Sequence, residues 1–338
     1  MLDKNTIFEM KWLLAKMELN NRTKQGGISY QKPKSDRIDH IHSRTSGIHL
    51  GLRAFQSDEI LNWLSDMSVD LFEINHSDEV LDCDKMPDIG IPYKEFVCHP
   101  LSNTVHTALE FINRHRGRRP IIFRNDFWYF KEIIPDHIDN MDQIMPNDIL
   151  IISLPYFEDF KYKSDINEIF ARCCDLNIPV MLDMIWMPLI HDVKPLHNTD
   201  CVEVISHSMT KTLPLSGIKG GFCFYRRPVP ERYDLYPLGN KVGYHVSLRY
   251  VNEKGYWHVR DGMRDLQKKW CKIFDLPKHD MVMIAQIPKG HLLEDQSLHQ
   301  HRIPESKLFN LIPFYENDHV LCQYLQTKGH LTLYDNKV

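Results

Sequence analysis

The stretch Ser206-His-Ser-Met-Thr-Lys-Thr-Leu-Pro-Leu-Ser-Gly-Ile-Lys-Gly-Gly-Phe-Cys-Phe-Tyr225 gathers the residues best suited to do chemistry. The hydroxyls of Ser206, Ser208 and Thr210 cluster just before Lys211, and a second cation, Lys219, precedes Gly220 and Gly221. The stretch leaves one apolar run, residues 202–205, and enters another, residues 222–225, so it reads as a loop between two buried strands. A lysine in that setting can hold a phosphorylated aldehyde. The amine bonds the carbonyl carbon, while the hydroxyls and the second cation take the phosphate. The same residue types also make an ordinary surface loop, because Ser, Thr and Gly-Gly favour turns.

A second candidate lies upstream in Val180-Met-Leu-Asp-Met-Ile-Trp186, which is apolar except for Asp183. A carboxylate in such a run is costly unless a cation or hydrogen-bond donor meets it. Near the carboxyl end of a parallel strand it stands where ligands bind in such sheets, and a protonated pyridine nitrogen would be a fitting partner. The alternative is an Asp that caps the next turn. Leu101-Ser-Asn-Thr104 opens a helix expected to run to about Arg114, apolar at Val105, Ala108, Leu109 and Ile112. Free N–H groups and hydroxyls at such a start suit a phosphate, and they serve equally well as a plain N-cap. After a strand over residues 120–123 come Phe127, Trp128 and Tyr129, fit either to stack on a flat ring or to pack a core.

These groups need a scaffold. Strands are expected at 71–74, 120–123, 149–154 and 200–205, with further strand-like apolar runs at 281–287 and 308–314. Helices are expected at 6–19, at 57–67, after Ser164 as N-cap with the stripe Ile166, Ile169, Phe170 and Cys173, and near 241–252 and 257–274. Strands and helices alternate from Pro100 onward, the pattern of an α/β fold with a mostly parallel sheet covered by helices.

Composition narrows the classes. The chain has 338 residues, 43% hydrophobic and 25% charged, with net charge −4, so bulk charge does not point to nucleic acid or an anionic membrane. Eight cysteines without CxxC, no secretory pattern in residues 1–16 and no apolar run of membrane length lead us to expect a cytoplasmic protein with free thiols. The 19 histidines show neither HExxH nor paired metal spacing, so no metal is expected.

Ser208-Met-Thr-Lys211 with Gly217-Ile-Lys-Gly220 resembles the Ser-x-x-Lys…Gly-x-Arg-x-Gly signature of the class I/II aminotransferases, the fold-type I pyridoxal-phosphate (PLP) enzymes. The family's order of parts is kept: phosphate turn, stacking aromatic, Asp, then Lys, here 28 residues beyond Asp183. The resemblance implies a seven-stranded-type, mostly parallel sheet sandwiched by helices, with a smaller α+β domain. It divides the chain into residues 1–75 (small-domain and dimer contacts), 76–228 (large PLP-binding domain) and 229–338 (C-terminal small domain).

The implied activity is that of a PLP-dependent aminotransferase acting on an amino acid or related amine, in a homodimer. A decarboxylase or lyase of the same fold, or a non-catalytic binding protein, remains the alternative. Lys211 would form the Schiff base and shuttle the proton between the substrate Cα and the cofactor. Asp183 would pair with the ring nitrogen, and Trp128 would stack. Ser102, Asn103, Thr104, Ser208 and Lys219 would hold the phosphate, with Tyr30 a candidate for a cross-subunit phosphate contact. Arg302 and Arg249 are the candidates for a substrate carboxylate.

Three departures stand out. Trp186 replaces the Tyr of the family's Asp-x-x-Tyr, and an indole can donate to the phenolic oxygen but cannot ionise. Ser153-Leu-Pro-Tyr-Phe157 replaces the family's Asn-Pro-(Thr)-Gly turn, leaving Tyr156 or Ser153 to substitute for the Asn. Lys219 stands in place of Arg, which keeps the charge and loses the bidentate fork.

Overall fold

The computed structural model describes residues 80–101, 103–156, 160–209, 220–227, 241–290 and 307–310. The elements expected at 6–19, 57–67, 71–74 and 311–314 lie outside the described residues.

A seven-stranded sheet is built from β1 (Val97–Pro100), β2 (Arg119–Phe123), β3 (Asp136–Ile138), β4 (Asp148–Ser153), β5 (Val180–Asp183), β6 (Val202–Ser208) and β7 (Gly221–Tyr225). Their spatial order is β1-β7-β6-β5-β4-β2-β3. β2 pairs in parallel with β3 and β4, and β5 in parallel with β4 and β6. β7 runs antiparallel between β6 and β1. This is the mostly parallel α/β sheet expected from the sequence.

The strands read as they do because both faces are covered. β4 and β5 are buried at every position, and such strands carry near-continuous apolar runs. The one acid that opens β4, Asp148, is 1% exposed and is met by a bidentate Arg119, Nε–Oδ1 at 2.8 Å and Nη2–Oδ2 at 2.9 Å. The Met145 N–H also donates to it at 2.7 Å. Successive side chains then alternate between two cores. Ile149, Ile151, Met181 and Val204 meet Ala108 and Phe111 of α1 (Thr104–Arg114) and Phe130 of α2 (Trp128–Ile133). Leu150, Ile152, Val180, Leu182 and Ile205 face the other way, toward Ile166, Ile169, Phe170 and Cys173 of α3 (Ile166–Asp175). Full burial of a side chain such as Phe111 contributes about 1.5–3 kcal/mol.

Two expectations need correction. The N-cap of α3 is Asp165, not Ser164: the helical hydrogen bonds begin one residue later, and the Asp165 side chain makes no cap bond. β6 does not stop at residue 205. It runs on to Ser208, because Ser206 and Ser208 stay in the ladder opposite Cys223 and Gly221 of β7.

Beyond β7 come α4 (Lys241–Lys254), packed on β7, and α5 (His258–Phe274). β8 (Ile284–Ile287) and β9 (Lys307–Asn310) form a separate antiparallel pair, so the strand expected over 281–287 occupies only its last four residues. The buried amide of Gln267 on α5 donates to the carbonyls of His279, Met281 and Ile284, which fixes the turn before β8. Among the described residues no helix is long and apolar enough to cross a membrane, and no group of three or more His, Cys, Asp or Glu is placed to hold a metal ion.

Candidate functional site

The apolar face of the sheet turned toward α1 becomes polar at its carboxyl edge. One position beyond the alternation of Ile151, Met181 and Val204 stand Ser153, Asp183 and Ser206. They lie side by side, Ser153 paired with Asp183 and Asp183 with Ser206. Three parallel strands thus end in a row of polar side chains, at the edge where open α/β sheets bind ligands.

Asp183 is the centre of this row. It is 2% exposed, and the Ser206 hydroxyl donates to its Oδ1 at 2.5 Å. Thr104, the first residue of α1, lies with its hydroxyl 3.2 Å from that of Ser206, where it favours the ionised form of Asp183. Burial pushes the Asp183 carboxyl up to about 7, against the hydrogen bonds from Ser206, Thr104 and the Ile185 N–H, and with the help of the Asp126 charge. Among the described residues no cation reaches it. A carboxylate has about four acceptor positions. Among the described residues the Ser206 hydroxyl fills one of them, which leaves room for a further donor. The site is therefore a buried, incompletely satisfied carboxylate whose ionised form a cationic donor would stabilise.

Asp126 was missed in the sequence. It is 2% exposed and follows β2, with Oδ1 accepting the Phe127 N–H at 2.6 Å and Oδ2 accepting the Ser153 N–H at 2.8 Å. It fastens the corner before α2 to the end of β4. Burial raises its pKa, and the bonds from Ser153 and Phe127 oppose the rise. In the sequence it stood within the polar stretch Arg124-Asn-Asp126, where nothing marked it as buried.

The other expected site residues fall as follows. Asn103 is the N-cap of α1, its side chain accepting the Val105 N–H at 2.8 Å. Ser208 is buried at the end of β6, its hydroxyl 3.5 Å from the Gly220 carbonyl. Trp128 opens α2, and its side chain lies outside the described residues. Trp186 is 3% exposed and meets Phe160 edge-on at 5.3 Å between ring centroids, within the larger core. Tyr156 lies under the Lys163 ammonium at 4.2 Å. Arg249 pairs with Glu253 on α4 at 2.7 Å. Tyr30, Ser102, Lys211, Lys219 and Arg302 lie outside the described residues. The structure thus brings Thr104, Ser153, Asp183 and Ser206 together, with Ser208 one position further along the same face.

The chain between β6 and β7 leaves and returns at this edge, where the Met209 N–H donates to the Gly220 carbonyl at 3.1 Å. The two glycines at the return have packing reasons. A Cβ on Gly221 would sit 2.5 Å from the His207 carbonyl oxygen, and one on Gly220 would sit 2.7 Å from the Gly243 carbonyl oxygen and from the Ser247 hydroxyl. They let β7 and α4 approach closely.

Between Ser206 and Ser208, His207 points to the opposite face, a second residue the sequence did not single out. Its ring is fully buried between two tyrosine hydroxyls, Nδ1 to Tyr256 at 2.8 Å and Nε2 to Tyr93 at 3.4 Å. Burial pushes its pKa down to about 3, so it is neutral at physiological pH.

No family model matches the sequence, and no curated protein matches it. Solved structures do. A PLP-bound protein from Clostridium difficile 630, provisionally named an aminotransferase, superposes with a TM-score of 0.51 at 11% identity, over 73% of this chain and 85% of that one. A PLP-bound C-S lyase from Staphylococcus hominis gives a TM-score of 0.47 at 10% identity, over 74% of this chain and 80% of that one. At such identities a likeness speaks to fold alone, and the first superposition carries it. With its single antiparallel strand inside a parallel seven-stranded sheet, the chain has the fold-type I architecture known from pyridoxal-phosphate enzymes.

Proposed function

We propose that this chain is a PLP-dependent enzyme acting on an amino acid or related amine, by aminotransfer, with Lys211 as the covalent amine. The observation that supports this most is Asp183: a 2% exposed carboxylate at the carboxyl end of a central parallel strand, with room for a further donor and no cation among the described residues. That donor set fits a protonated ring nitrogen. When bound, pyridoxal phosphate supplies an aldehyde that joins an amine and a ring that withdraws electrons from the carbon beside it.

The chain's own residues do the rest. Asp183 keeps a proton on the ring nitrogen, and Ser206 and Thr104 hold the Asp183 carboxylate in place. The start of α1, with Ser102, Asn103 and Thr104, would offer its N–H groups and the Ser102 hydroxyl to a phosphate, and Ser208 and Lys219 would add to them. Trp128 would cover the ring. Lys211, two residues beyond Met209, provides the amine and moves the proton at the substrate Cα.

The test is an absorption titration of the purified protein with pyridoxal phosphate. The proposal expects a saturable band near the visible edge that Lys211→Ala abolishes and Asp183→Asn weakens. Identical spectra for the wild type and Lys211→Ala would overturn it. An amine screen that follows the same band then separates a transferase from a lyase, a decarboxylase or an inert scaffold. Because Arg249 is paired with Glu253, the screen includes amines without a carboxylate.

A further inference from the structure

The sequence offered eight scattered cysteines without a pairing motif. The fold brings two of them together. Cys174 stands in the last turn of α3, and Cys201 ends the short 3-10 turn Thr199–Cys201 that leads into β6. That turn packs against α3. The Cys174 thiol donates to the carbonyl of Asn198 at 3.1 Å, and the Cys201 thiol donates to the same oxygen at 3.4 Å. Both sulfurs thus converge on one oxygen. Asn198 itself is exposed and left-handed, with φ 57° and ψ 39°, so the shared carbonyl sits at a bend on the surface.

We propose that Cys174 and Cys201 are a dithiol modification site that small-molecule disulfides oxidise to an intramolecular disulfide. The two sulfurs differ in a way that orders the steps. Cys174 is partly exposed, whereas Cys201 is buried and burial raises its pKa. The first attack therefore falls to Cys174: its thiolate takes one sulfur of the reagent and expels the other half as a thiolate. Cys201 then loses its proton to solvent and attacks the Cys174 sulfur. The Cys174–Cys201 bond forms, the mixed disulfide breaks, and the second reagent half leaves. Two protein thiols and one disulfide become one protein disulfide and two small thiols, so electrons and protons balance. The high pKa of Cys201 makes the second step the slower one, faster as the pH rises.

The obvious competitor is Cys173, the neighbour of Cys174. It is fully buried in the larger core among Ile169 and Phe170, on the α3 face turned to the sheet, so the reagent does not reach it first. Closure would staple α3 to the start of the strand that carries Ser206 and Ser208. This inference does not depend on the cofactor reading.

The test uses the full-length protein, oxidised glutathione and non-reducing Asp-N mapping with fragmentation of the linked peptides, because the Lys194–Pro195 bond resists trypsin and would keep all three cysteines on one peptide. A Cys174–Cys201 linked peptide is expected. The intact mass should fall by two hydrogens, and the thiol titre of the denatured chain by two from eight. Dithiothreitol should restore both. The thermal midpoint should rise on oxidation in the wild type and not in Cys174→Ser, where the link cannot form. A stable glutathione adduct on Cys174 without a link, a link from Cys173, or no reaction would each overturn the proposal. The wild-type peptide map alone decides among these if a variant fails to fold.

Discussion

Asp183→Asn gives the sharpest consequence of the site's electrostatics, and it can be read without cofactor. The Asp183 carboxyl titrates near 3.8 in an unfolded chain and is pushed up to about 7 in the fold, chiefly by burial. For an acid whose folded pKa is raised, the folded state favours the protonated form. Stability is therefore fullest below pH 3.8 and is lost as the pH climbs through about 7. At 1.36 kcal/mol per unit, complete ionisation costs the fold about 4 kcal/mol, of which about 2.5 kcal/mol falls between pH 5 and pH 8. Asparagine keeps an acceptor for Ser206 and cannot ionise. The variant should gain on the wild type by about 2.5 kcal/mol over that interval, a relative urea-midpoint shift of about 1 M or less. The assay is urea unfolding of the cofactor-free protein at half-unit pH steps, with the wild-type curve subtracted from the variant curve. Groups shared by both proteins cancel in the difference. A difference flat in pH, or one that favours the wild type more as pH rises, would refute the placement of Asp183 as an uncompensated buried acid.

Other variants test the neighbours. Asp126→Asn removes the like charge that helps raise Asp183, and Thr104→Val removes a donor that lowers it, so the step seen in the urea series should move to lower pH in the first and to higher pH in the second. His207 is neutral in the fold, with its pKa pushed from 6.5 down to about 3, so an unfolded chain gains a proton on acidification that the fold cannot take. That costs about 2 kcal/mol between neutrality and pH 5. His207→Gln should flatten this acid limb while losing about 1–3 kcal/mol for each tyrosine hydroxyl left unpaired, as urea unfolding would register. Gly221→Ala drives a Cβ to within 2.5 Å of the His207 carbonyl, which cannot swing away without breaking the β6–β7 ladder. About 1–3 kcal/mol of destabilisation is expected in the same assay.

What could be read in advance follows from how far each signal extends along the chain. β4 and β5 were legible because strands covered on both faces are written as unbroken apolar runs. Asp183 was legible because it interrupts one. The end of β6 was not: Ser206 and Ser208 face a polar edge, so the run of apolar residues stops while the ladder continues. β1 and β3, of four and three residues, are too short to show a period, and β1 is an edge strand whose first residue is 46% exposed. Asp126 and His207 draw their meaning from partners distant in sequence. Asp126 needs the Ser153 amide, 27 residues on, and His207 needs Tyr93, 114 residues back. No local pattern encodes such contacts. The order of the motifs pointed to the right fold because that order follows strand order, and strand order survives where identity has fallen to 11%.

Borohydride reduction of the protein mixed with pyridoxal phosphate, followed by peptide mapping, tests Lys211 as the covalent amine most directly. The expected result is a single reduced adduct on the peptide that carries Lys211, diminished in Asp183→Asn. An adduct on Lys163, held between the rings of Phe123 and Tyr156, a scatter over surface lysines, or no adduct at all would contradict it.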